Sequence, residues 1–436
     1  MMRVHFLIAC LAILFEAHSQ TKIVTYYSYP QGAKNEEYHI LGNDSSKVHG
    51  DFVKYAPTGE IIIKGEYDKG KRQGWFENYY KDGSLQRKTQ YIEGIRQGET
   101  WVYDKDGSLM QKATFANDTI VGDLIVFYPG GALKSESKFI KGKPDGTVYY
   151  YYEDSTLQEE IPYLNGKPNG VSKSYYPNAV LKSEAKYING DQEGFFKTYY
   201  PSGQLETEAY KTQGLQNGNY RQFFEDGTPK QEGYYIGGQL NGPVISFYPS
   251  GLKRQEFFYK VGARSGKNIT YYPNGQISSI VNYADNEKDQ KIEEFSETGN
   301  LMAEKEFRDG MEDGLWKYYN SAKVVVVEVR YEKGKLDGTI RKYFDNGSLW
   351  MEEEYKNGKK QGSSVVYQKN GLKESKTEYK FDRKDGEYKK FHLNGEVAEK
   401  GLYKRDWMEG LWLYLDKKGN KKREVIYRSG RIVSEK

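Results

Sequence analysis

The chain has 436 residues, of which 37% are hydrophobic and 41 are tyrosines, and its 65 basic and 61 acidic residues leave a net charge of +4. So few aliphatic residues exclude a large globular core, while the many aromatic residues exclude a disordered chain. The two charge signs alternate without a basic stripe, so a nucleic-acid partner is not expected.

Residues 1–19 have the pattern of a signal peptide. A positive start (MMR) precedes the apolar run Val4–Phe15, and the small residues Ala17 and Ser19 precede Gln20. The run is shorter than the ~20 residues of a membrane-spanning helix, so an integral membrane span is not expected. We therefore predict export to the periplasm, the cell surface or the medium. The alternative is an N-terminal strand or anchor.

Segment 20–49 is predicted to be a degenerate N-terminal cap repeat. Pro30 and Gly32 suit a hairpin turn, but the spacing to the next glycine differs from that of the later copies. Cys10 is the only cysteine and lies in the predicted signal peptide, so the rest of the chain has no thiol with which to form a disulfide.

Residues 50–436 form a repeat array with a period of 24 residues. We call the recurring glycine the anchor and number each repeat from it as position 0. Sixteen registers run from 50 to 410 without insertion or deletion, and Gln290 is the one anchor that is not glycine. The anchor glycines are Gly50, Gly74, Gly98, Gly122, Gly146, Gly170, Gly194, Gly218, Gly242, Gly266, Gly314, Gly338, Gly362, Gly386 and Gly410.

Two further glycine positions predict turns. Position 9 is glycine except at Ser155, Ala179 and Lys323. Position 20 is glycine or one of the residues that tolerate a positive φ, so we predict a left-handed residue there in every copy. The non-glycine residues at position 20 are Asp118, Asn286, Asp382 and Asp406. The short link around position 9 suits a type I turn closed by a left-handed residue, which makes each repeat one β-hairpin.

Aromatic residues at positions 5 and 17 recur in nearly every copy and bound the two strands of the hairpin. One hairpin is marginally stable in water, so neighbouring copies must bury these side chains together. The predicted fold class is all-β: an elongated single-layer antiparallel meander, a ribbon of about 16 hairpin repeats with about 32 strands and no central globular core.

The pattern Tyr-x-x-Gly-Lys-x-x-Gly, followed by aromatic residues and x-Gly-x-Leu, resembles the bacterial variant of the MORN repeat. The match is clearest at 138–160, 161–184 and 331–362, and it covers essentially all of 50–430. The resemblance implies a β-hairpin scaffold that contacts other proteins or lipids. It also implies a link to toxin–antitoxin modules, in which some relatives serve as antitoxin components.

No catalytic motif stands out, and acidic residues lie beside lysines on strands that we expect to be solvated. His39, His49 and His392 have no spacing that would enforce a metal site. We therefore predict that the protein is not an enzyme and needs no cofactor or metal. Lysines near the C-terminus would protect a sheet edge or, alternatively, form a basic docking patch. These basic residues are Lys417, Lys418, Lys421, Lys422 and Arg423.

A second aromatic residue occupies position 6 in seven consecutive repeats. We call this set the aromatic stripe: Tyr128, Tyr152, Tyr176, Tyr200, Phe224, Tyr248 and Tyr272. Strand alternation would place it on the opposite face from the position 5 aromatics, where it would form an extended partner-binding surface. The alternative is that these rings only cover the neighbouring proline turns.

Together these patterns predict an exported, non-catalytic repeat scaffold that binds a protein partner, with an antitoxin-like or immunity-like role as one form of that function. The alternative is a cell-wall or polysaccharide-binding module that uses the aromatic stripe to stack on a glycan. Hot-spot behaviour in a few copies would favour the protein partner, and graded loss of affinity would favour the glycan.

Overall fold

The computed structural model describes residues 19–42, 44–284 and 287–436. Residues 1–18 of the predicted signal peptide, and Asn286, lie outside this part of the chain. The described residues form β-strands and turns without a helix, so none of them makes a helix long and apolar enough to cross a membrane. They divide into two compact units, one comprising the chain through Leu205 with Lys211–Gly214, and the other Glu206–Tyr210 with Leu215–Lys436.

The first unit is an antiparallel meander in which each long strand pairs with the next long strand along the chain. Its first strands, Gln20–Tyr26 and Lys34–Leu41, form the hairpin of the N-terminal segment. The strands that follow are Asp44–Tyr55, Ile61–Asp68, Lys71–Tyr79, Leu85–Ile92, Ile95–Tyr103, Leu109–Ala116, Thr119–Phe127, Leu133–Ile140, Lys143–Pro144, Gly146–Tyr151, Leu157–Leu164, Lys167–Pro168, Gly170–Tyr175, Leu181–Ile188 and Asp191–Tyr199.

Strand Leu205–Thr212 contributes residues to both units. The second unit is again an antiparallel meander of neighbouring strands. Its strands are Leu215–Phe223, Pro229–Ile236, Gln239–Leu240, Gly242–Phe247, Lys253–Lys260, Ala263–Arg264, Gly266–Tyr271, Ile277–Tyr283, Gln290–Phe295, Leu301–Arg308, Met311–Tyr319, Val325–Glu332, Lys335–Leu336, Gly338–Tyr343, Leu349–Lys356, Lys359–Tyr367, Lys373–Lys380, Arg383–Phe391, Val397–Lys404, Trp407–Leu415, Lys421–Arg428 and Arg431–Glu435.

The link between one repeat and the next is itself a tight hairpin turn. Glu93 and Gly94, which join the paired residues Ile92 and Ile95, have φ angles of +51° and +85°. Two successive positive φ angles define the type I′ turn, whose twist matches that of the flanking strands. Every described residue at position 20 has a positive φ, including Asp118, Asp382 and Asp406, which confirms the predicted left-handed position.

The wider turn inside each repeat is also constant. In the repeat that begins at Gly74, the Tyr80 amide donates to the Ser84 carbonyl at 2.9 Å, and the Gly83 amide donates to the Tyr80 carbonyl at 3.0 Å. Gly83 has a φ of +86°. The non-glycine residues at the same position keep a left-handed backbone, with φ angles of +67° at Ser155, +60° at Ala179 and +62° at Lys323.

The anchor glycine lies at a β-bulge. Gly74 pairs with Tyr91 in its own hairpin, but the ladder to the preceding strand shifts register between Lys64 and Glu66. Gly74 has a φ of +71°, which suits the extra residue of a bulge. Gln290 is the informative exception, because its strand pairs with Ile277–Tyr283 without any register shift. Glycine is therefore retained where the bulge is retained.

The bulge also explains five of the strand segments that the structure has beyond the predicted 32. In five repeats the strand is interrupted just before the anchor, which leaves a two-residue segment in front of it. These segments are Lys143–Pro144, Lys167–Pro168, Gln239–Leu240, Ala263–Arg264 and Lys335–Leu336.

The best-buried side chains come from positions 2 and 15, which lie opposite each other in the ladder. In the last full repeat, Trp412 pairs with Val425, and both are 0% exposed. Large residues at position 2 can lie beside glycine at position 15 of the preceding repeat. A Cβ atom on Gly401 would lie 2.2 Å from the Trp412 ring, and one on Gly65 would lie 2.7 Å from Phe76. The hydrophobic core is thus a single row of size-matched side chains.

We predict that Gly146→Ala destabilises the fold by about 1–3 kcal/mol, because a non-glycine residue is strained at this backbone conformation. Gly146 has a φ of +102°, and a Cβ atom there would meet nothing within 4 Å, so backbone strain is the only cost. Gln290→Ala is the control, since its strand has no bulge, and it should change the thermal midpoint little. Equal midpoints for the two variants would contradict the role assigned to the anchor.

Candidate interaction surface

Alternation along the strands gives the sheet two distinct faces. We call the face with positions 2, 15 and 17 the packed face, and the face with positions 3, 5 and 14 the carboxylate face. On the latter, the position 5 tyrosine donates a hydrogen bond to the position 14 glutamate of the preceding repeat. These pairs are Tyr151–Glu136 (2.8 Å), Tyr175–Glu160 (2.9 Å), Tyr199–Glu184 (2.8 Å), Tyr271–Glu256 (3.2 Å), Tyr319–Glu304 (2.6 Å), Tyr343–Glu328 (2.8 Å) and Tyr367–Glu352 (3.1 Å).

These contacts keep the phenols protonated. Burial first, and then the hydrogen bond to the glutamate, raises the pKa of Tyr175 to about 12. The same causes raise the pKa of Tyr151, Tyr319 and Tyr343 to about 12. Lysine side chains also contact these glutamates, and the Lys173 ammonium lies 3.3 Å from the Glu160 carboxylate. The face is therefore a network of satisfied polar groups across neighbouring repeats.

The structure places the aromatic stripe at the edge formed by the wider turns, with all seven rings half-buried. Stripe tyrosines donate their hydroxyl to the backbone carbonyl of position 5 in the next repeat. These bonds are Tyr128 to Tyr151 (2.9 Å), Tyr152 to Tyr175 (2.8 Å), Tyr176 to Tyr199 (2.8 Å), Tyr248 to Tyr271 (2.7 Å) and Tyr272 to Phe295 (2.8 Å). Each bond joins the turns of consecutive hairpins.

The same link occurs outside the stripe. Tyr80 donates to the Tyr103 carbonyl at 3.0 Å, and the His392 ring nitrogen Nε2 lies 3.0 Å from the Leu415 carbonyl. Position 6 therefore has a structural role, which supports the alternative that these rings cover the turns. Binding of a partner by the stripe remains a prediction.

Lysine side chains cover part of the stripe. The ammonium groups of Lys134, Lys182 and Lys230 lie 5.3, 5.7 and 5.8 Å from the ring centroids of the stripe residues six positions earlier in the same repeat, in a cation–π geometry. The stripe residues concerned are Tyr128, Tyr176 and Phe224. Such coverage reduces the ring area that a glycan could stack against.

A second apolar surface of the first unit was not identified from the sequence. Ile140, Leu164 and Ile188 all occupy position 18, just before the tight turns, and are 50%, 49% and 43% exposed. Directly across the ladder lie Lys143, Lys167 and Asp191. We call Ile140, Leu164 and Ile188 the aliphatic row. A recurring aliphatic residue beside a turn in the sequence could have indicated it.

The second unit has an exposed apolar cluster on three neighbouring strands. Leu411 pairs with Ile426, and both are exposed, as are Leu402 and Trp407. Trp407 is 60% exposed. Contiguous apolar side chains of this size on a soluble surface are typical of interaction sites. Sequence reasoning missed this cluster because its members are spread over three repeat positions, and only Leu402 and Ile426 share one.

The remaining candidate residues have structural partners. His39 and His49 lie opposite each other on paired strands, and His49 Nδ1 is 3.2 Å from an Asp68 carboxylate oxygen. Across residues 19–42, 44–284 and 287–436, no three His, Cys, Asp or Glu side chains are grouped to hold a metal ion. The C-terminal lysines lie on or before strand Lys421–Arg428, and a further strand, Arg431–Glu435, pairs with it.

Comparison with known proteins identifies the repeat. The family model described as "MORN repeat variant" matches seven segments: 144–165, 168–189, 192–210, 216–236, 264–285, 336–357 and 384–405. No curated protein matches the chain.

Two solved structures align with 94% of this chain at low similarity. "Crystal Structure of TcdB2-TccC3-Cdc42" has 11% sequence identity and a TM-score of 0.15, and "Crystal Structure of TcdB2-TccC3 without hypervariable C-terminal region" has 10% identity and a TM-score of 0.16. The chain spans 28% and 27% of the length of those chains.

We predict that Tyr152→Phe lowers stability by about 0.5–1.5 kcal/mol, the net value of one hydrogen bond, because the Tyr175 carbonyl loses its donor. The matched change is Phe224→Tyr, which adds a hydroxyl at the same repeat position and should raise the thermal midpoint. Both variants are compared by circular dichroism melting. Opposite shifts support the link between turns, whereas no shift in either variant would refute it.

We predict that stability falls as the pH rises from about 10 to about 12. A folded-state pKa near 12 lies above the ordinary tyrosine value near 10, so the contribution is intact below pH ~10 and is lost as the pH approaches the folded-state pKa. Glu160→Gln should lower the Tyr175 pKa only part of the way, because burial remains. Tyrosine-resolved NMR titration measures this shift, and Glu159→Gln is the control on the opposite face. An unchanged Tyr175 pKa in Glu160→Gln would contradict the assignment.

Proposed function

Because this chain carries MORN repeat variants at seven places, we propose that it is an exported, non-catalytic scaffold that binds a protein partner. The observation that carries the proposal is the aliphatic row of the first unit, formed by Ile140, Leu164 and Ile188. The row recurs at one repeat position, so a partner can contact equivalent side chains on several hairpins at once. Apolar anchors surrounded by charged residues are the usual composition of such interfaces.

The surroundings of the row favour a protein over a glycan. Each aliphatic side chain faces a polar or charged residue across the ladder, which gives an apolar centre with a charged rim. Glycan stacking needs open aromatic faces, and the stripe rings are half-buried and partly covered by lysines. The aliphatic row is therefore a better candidate for the contact surface than the stripe.

The non-catalytic role is supported by the hydrogen bonds that the glutamates and tyrosines of the carboxylate face form with each other. The glutamates of the carboxylate face accept bonds from tyrosines or lysines, and burial and hydrogen bonding raise the pKa of the tyrosines well above neutral pH. General acid–base catalysis needs a group that titrates near the working pH. The tyrosines of these pairs do not meet that requirement, because their pKa lies near 12.

Export and an immunity-like or antitoxin-like role belong to the same proposal. The start MMR, the apolar run Val4–Phe15 and the small residues before Gln20 support export. Mass spectrometry of the protein recovered from its native cells should show a mature chain beginning at Gln20. An N-terminus that retains residues 1–19 would contradict export by signal cleavage.

The partner is tested by affinity capture from the native organism with the full chain and two triple variants. Ile140→Ser, Leu164→Ser and Ile188→Ser together remove the aliphatic row, whereas Lys143→Ser, Lys167→Ser and Asp191→Ser change the residues opposite. We expect the first variant to lose a specific protein that wild type retains, with at least a tenfold loss of affinity, because apolar anchors dominate binding energy.

The control variant should retain the protein with a changed salt dependence, since rim charges act mainly on association. Both variants must melt as wild type does. Loss of the partner in the control alone would move the interface to the charged residues. Retention in both variants would refute the aliphatic row as the contact surface.

A further inference from the structure

The packed face of the first unit contains a cavity of about 460 Å³ over five neighbouring strands, from Ile61–Asp68 to Leu109–Ala116. Ladder pairing brings side chains from three consecutive repeats to this place. The lining residues are Ile63, Arg72, Phe76, Asn78, Arg87, Thr89, Tyr91, Arg96, Thr100, Val102, Gln111 and Phe115. Three of the twelve are arginines and none is acidic.

Arg87 lies in the middle row of the cavity. It pairs with Asn78 on one side and with Val102 on the other, and Val102 in turn pairs with Gln111. Within the described residues the Arg87 side chain forms no ion pair, hydrogen bond or ring contact. Its guanidinium is therefore available to a ligand, with the amide groups of Asn78 and Gln111 in the same row.

The other two arginines are held in place at the side of the cavity. Arg72 lies 5.0 Å from the Phe76 ring centroid and donates to the Tyr91 hydroxyl at 3.2 Å. Arg96 lies 4.4 Å from the Phe115 centroid, and its Nε is 3.0 Å from an Asp118 carboxylate oxygen. These contacts fix the two cations before any ligand arrives, which lowers the entropic cost of binding.

A buried hydroxyl adds an independent indication of a ligand. Thr100 is 9% exposed, and its Oγ1 atom is buried without a hydrogen-bond partner. A buried hydroxyl without a partner in the protein is costly, so the Thr100 hydroxyl can donate to a ligand that enters the cavity. Thr89 lies directly opposite Thr100 in the ladder and carries a second hydroxyl in the same row.

The fold does not require this arrangement. The residues equivalent to Arg87 in the next four repeats are Gln111, Ser135, Glu159 and Ser183. The residues equivalent to Arg72 and Arg96 in the next three are Ile120, Pro144 and Pro168. The repeat tolerates uncharged residues at all these positions, so the coincidence of three arginines is specific to this part of the array.

We propose that this cavity binds a small organic oxyanion, a carboxylate or a phosphate with an apolar body. The Arg87 guanidinium would hold two anionic oxygens, as its planar fork favours, and Thr100 would donate its hydroxyl to one of them. The apolar body would lie against Phe76, Tyr91 and Phe115. The proposal does not depend on the protein interaction, because the cavity lies on the packed face and the aliphatic row does not.

The experiment is isothermal titration of the full chain with four probes at low salt: benzoate, phenyl phosphate, inorganic phosphate and neutral benzyl alcohol. We expect saturable binding of benzoate or phenyl phosphate and none of benzyl alcohol. Preference between the two aryl anions identifies the anionic group. Weaker binding of inorganic phosphate than of phenyl phosphate shows that the apolar body contributes.

The variants are Arg87→Gln and, as the matched control, Lys88→Gln, the next residue on the same strand, which faces the other side of the sheet and lies 3.5 Å from Glu77. We expect Arg87→Gln to weaken binding at least tenfold, Arg87→Lys to give an intermediate affinity, and Lys88→Gln to bind as wild type does. Thermal melting tests the same point, because anions should raise the midpoint of wild type but not of Arg87→Gln.

Two results would overturn the proposal. One is that neither aryl anion binds to folded wild type in the millimolar range. The other is that Arg87→Gln and Lys88→Gln bind the anions equally, which would assign the effect to net charge. Thr100→Val separates a hydroxyl donor from charge alone and should weaken binding several-fold if Thr100 contacts the anion.

Discussion

In the turns between repeats that the structure describes in full, two consecutive residues have positive φ, and the other regularities depend on this constraint. A type I′ turn joins the strands in one register only, and the bulge at an anchor glycine restores that register after the hairpin. Because the same register recurs in most copies, equivalent side chains meet equivalent partners in several repeats. The tyrosine–glutamate pairs and the hydroxyl–carbonyl links between turns follow from this constancy.

The two faces of the sheet stabilise the fold in different ways. On the packed face, one row of side chains excludes water, and Trp412 and Val425 are its best-buried members. On the carboxylate face, tyrosine hydroxyls and lysine ammonium groups donate to the glutamate carboxylates. That face is therefore stabilised by polar contacts and does not need to exclude water. A thin sheet can therefore be stable with few aliphatic residues, and it can present either face to a ligand or a partner.

Sequence reasoning predicted the hairpin repeat and the left-handed position because glycine, asparagine and aspartate report backbone geometry directly. It could not predict the buried row, since Phe76, Thr100 and Trp412 occupy the same position with unrelated side chains. The half-burial of Tyr152 could not be predicted either. Its hydrogen-bond partner is a backbone carbonyl, and every residue has one, so the sequence does not indicate the contact. The arginine-lined cavity depends on ladder pairing, which brings Arg72, Arg87 and Arg96 together from three strands.

The close packing of the Trp412 ring against Gly401 affects how such an array can gain or lose repeats. The two residues belong to consecutive repeats, so the size match spans the boundary between copies. A gene duplication that inserts one whole hairpin keeps every turn in phase, yet it can place a bulky ring against a residue that has a Cβ atom. The contact between two neighbouring hairpins must therefore be preserved when the array changes its length. Duplications that copy a hairpin together with its neighbour should disturb the packing least.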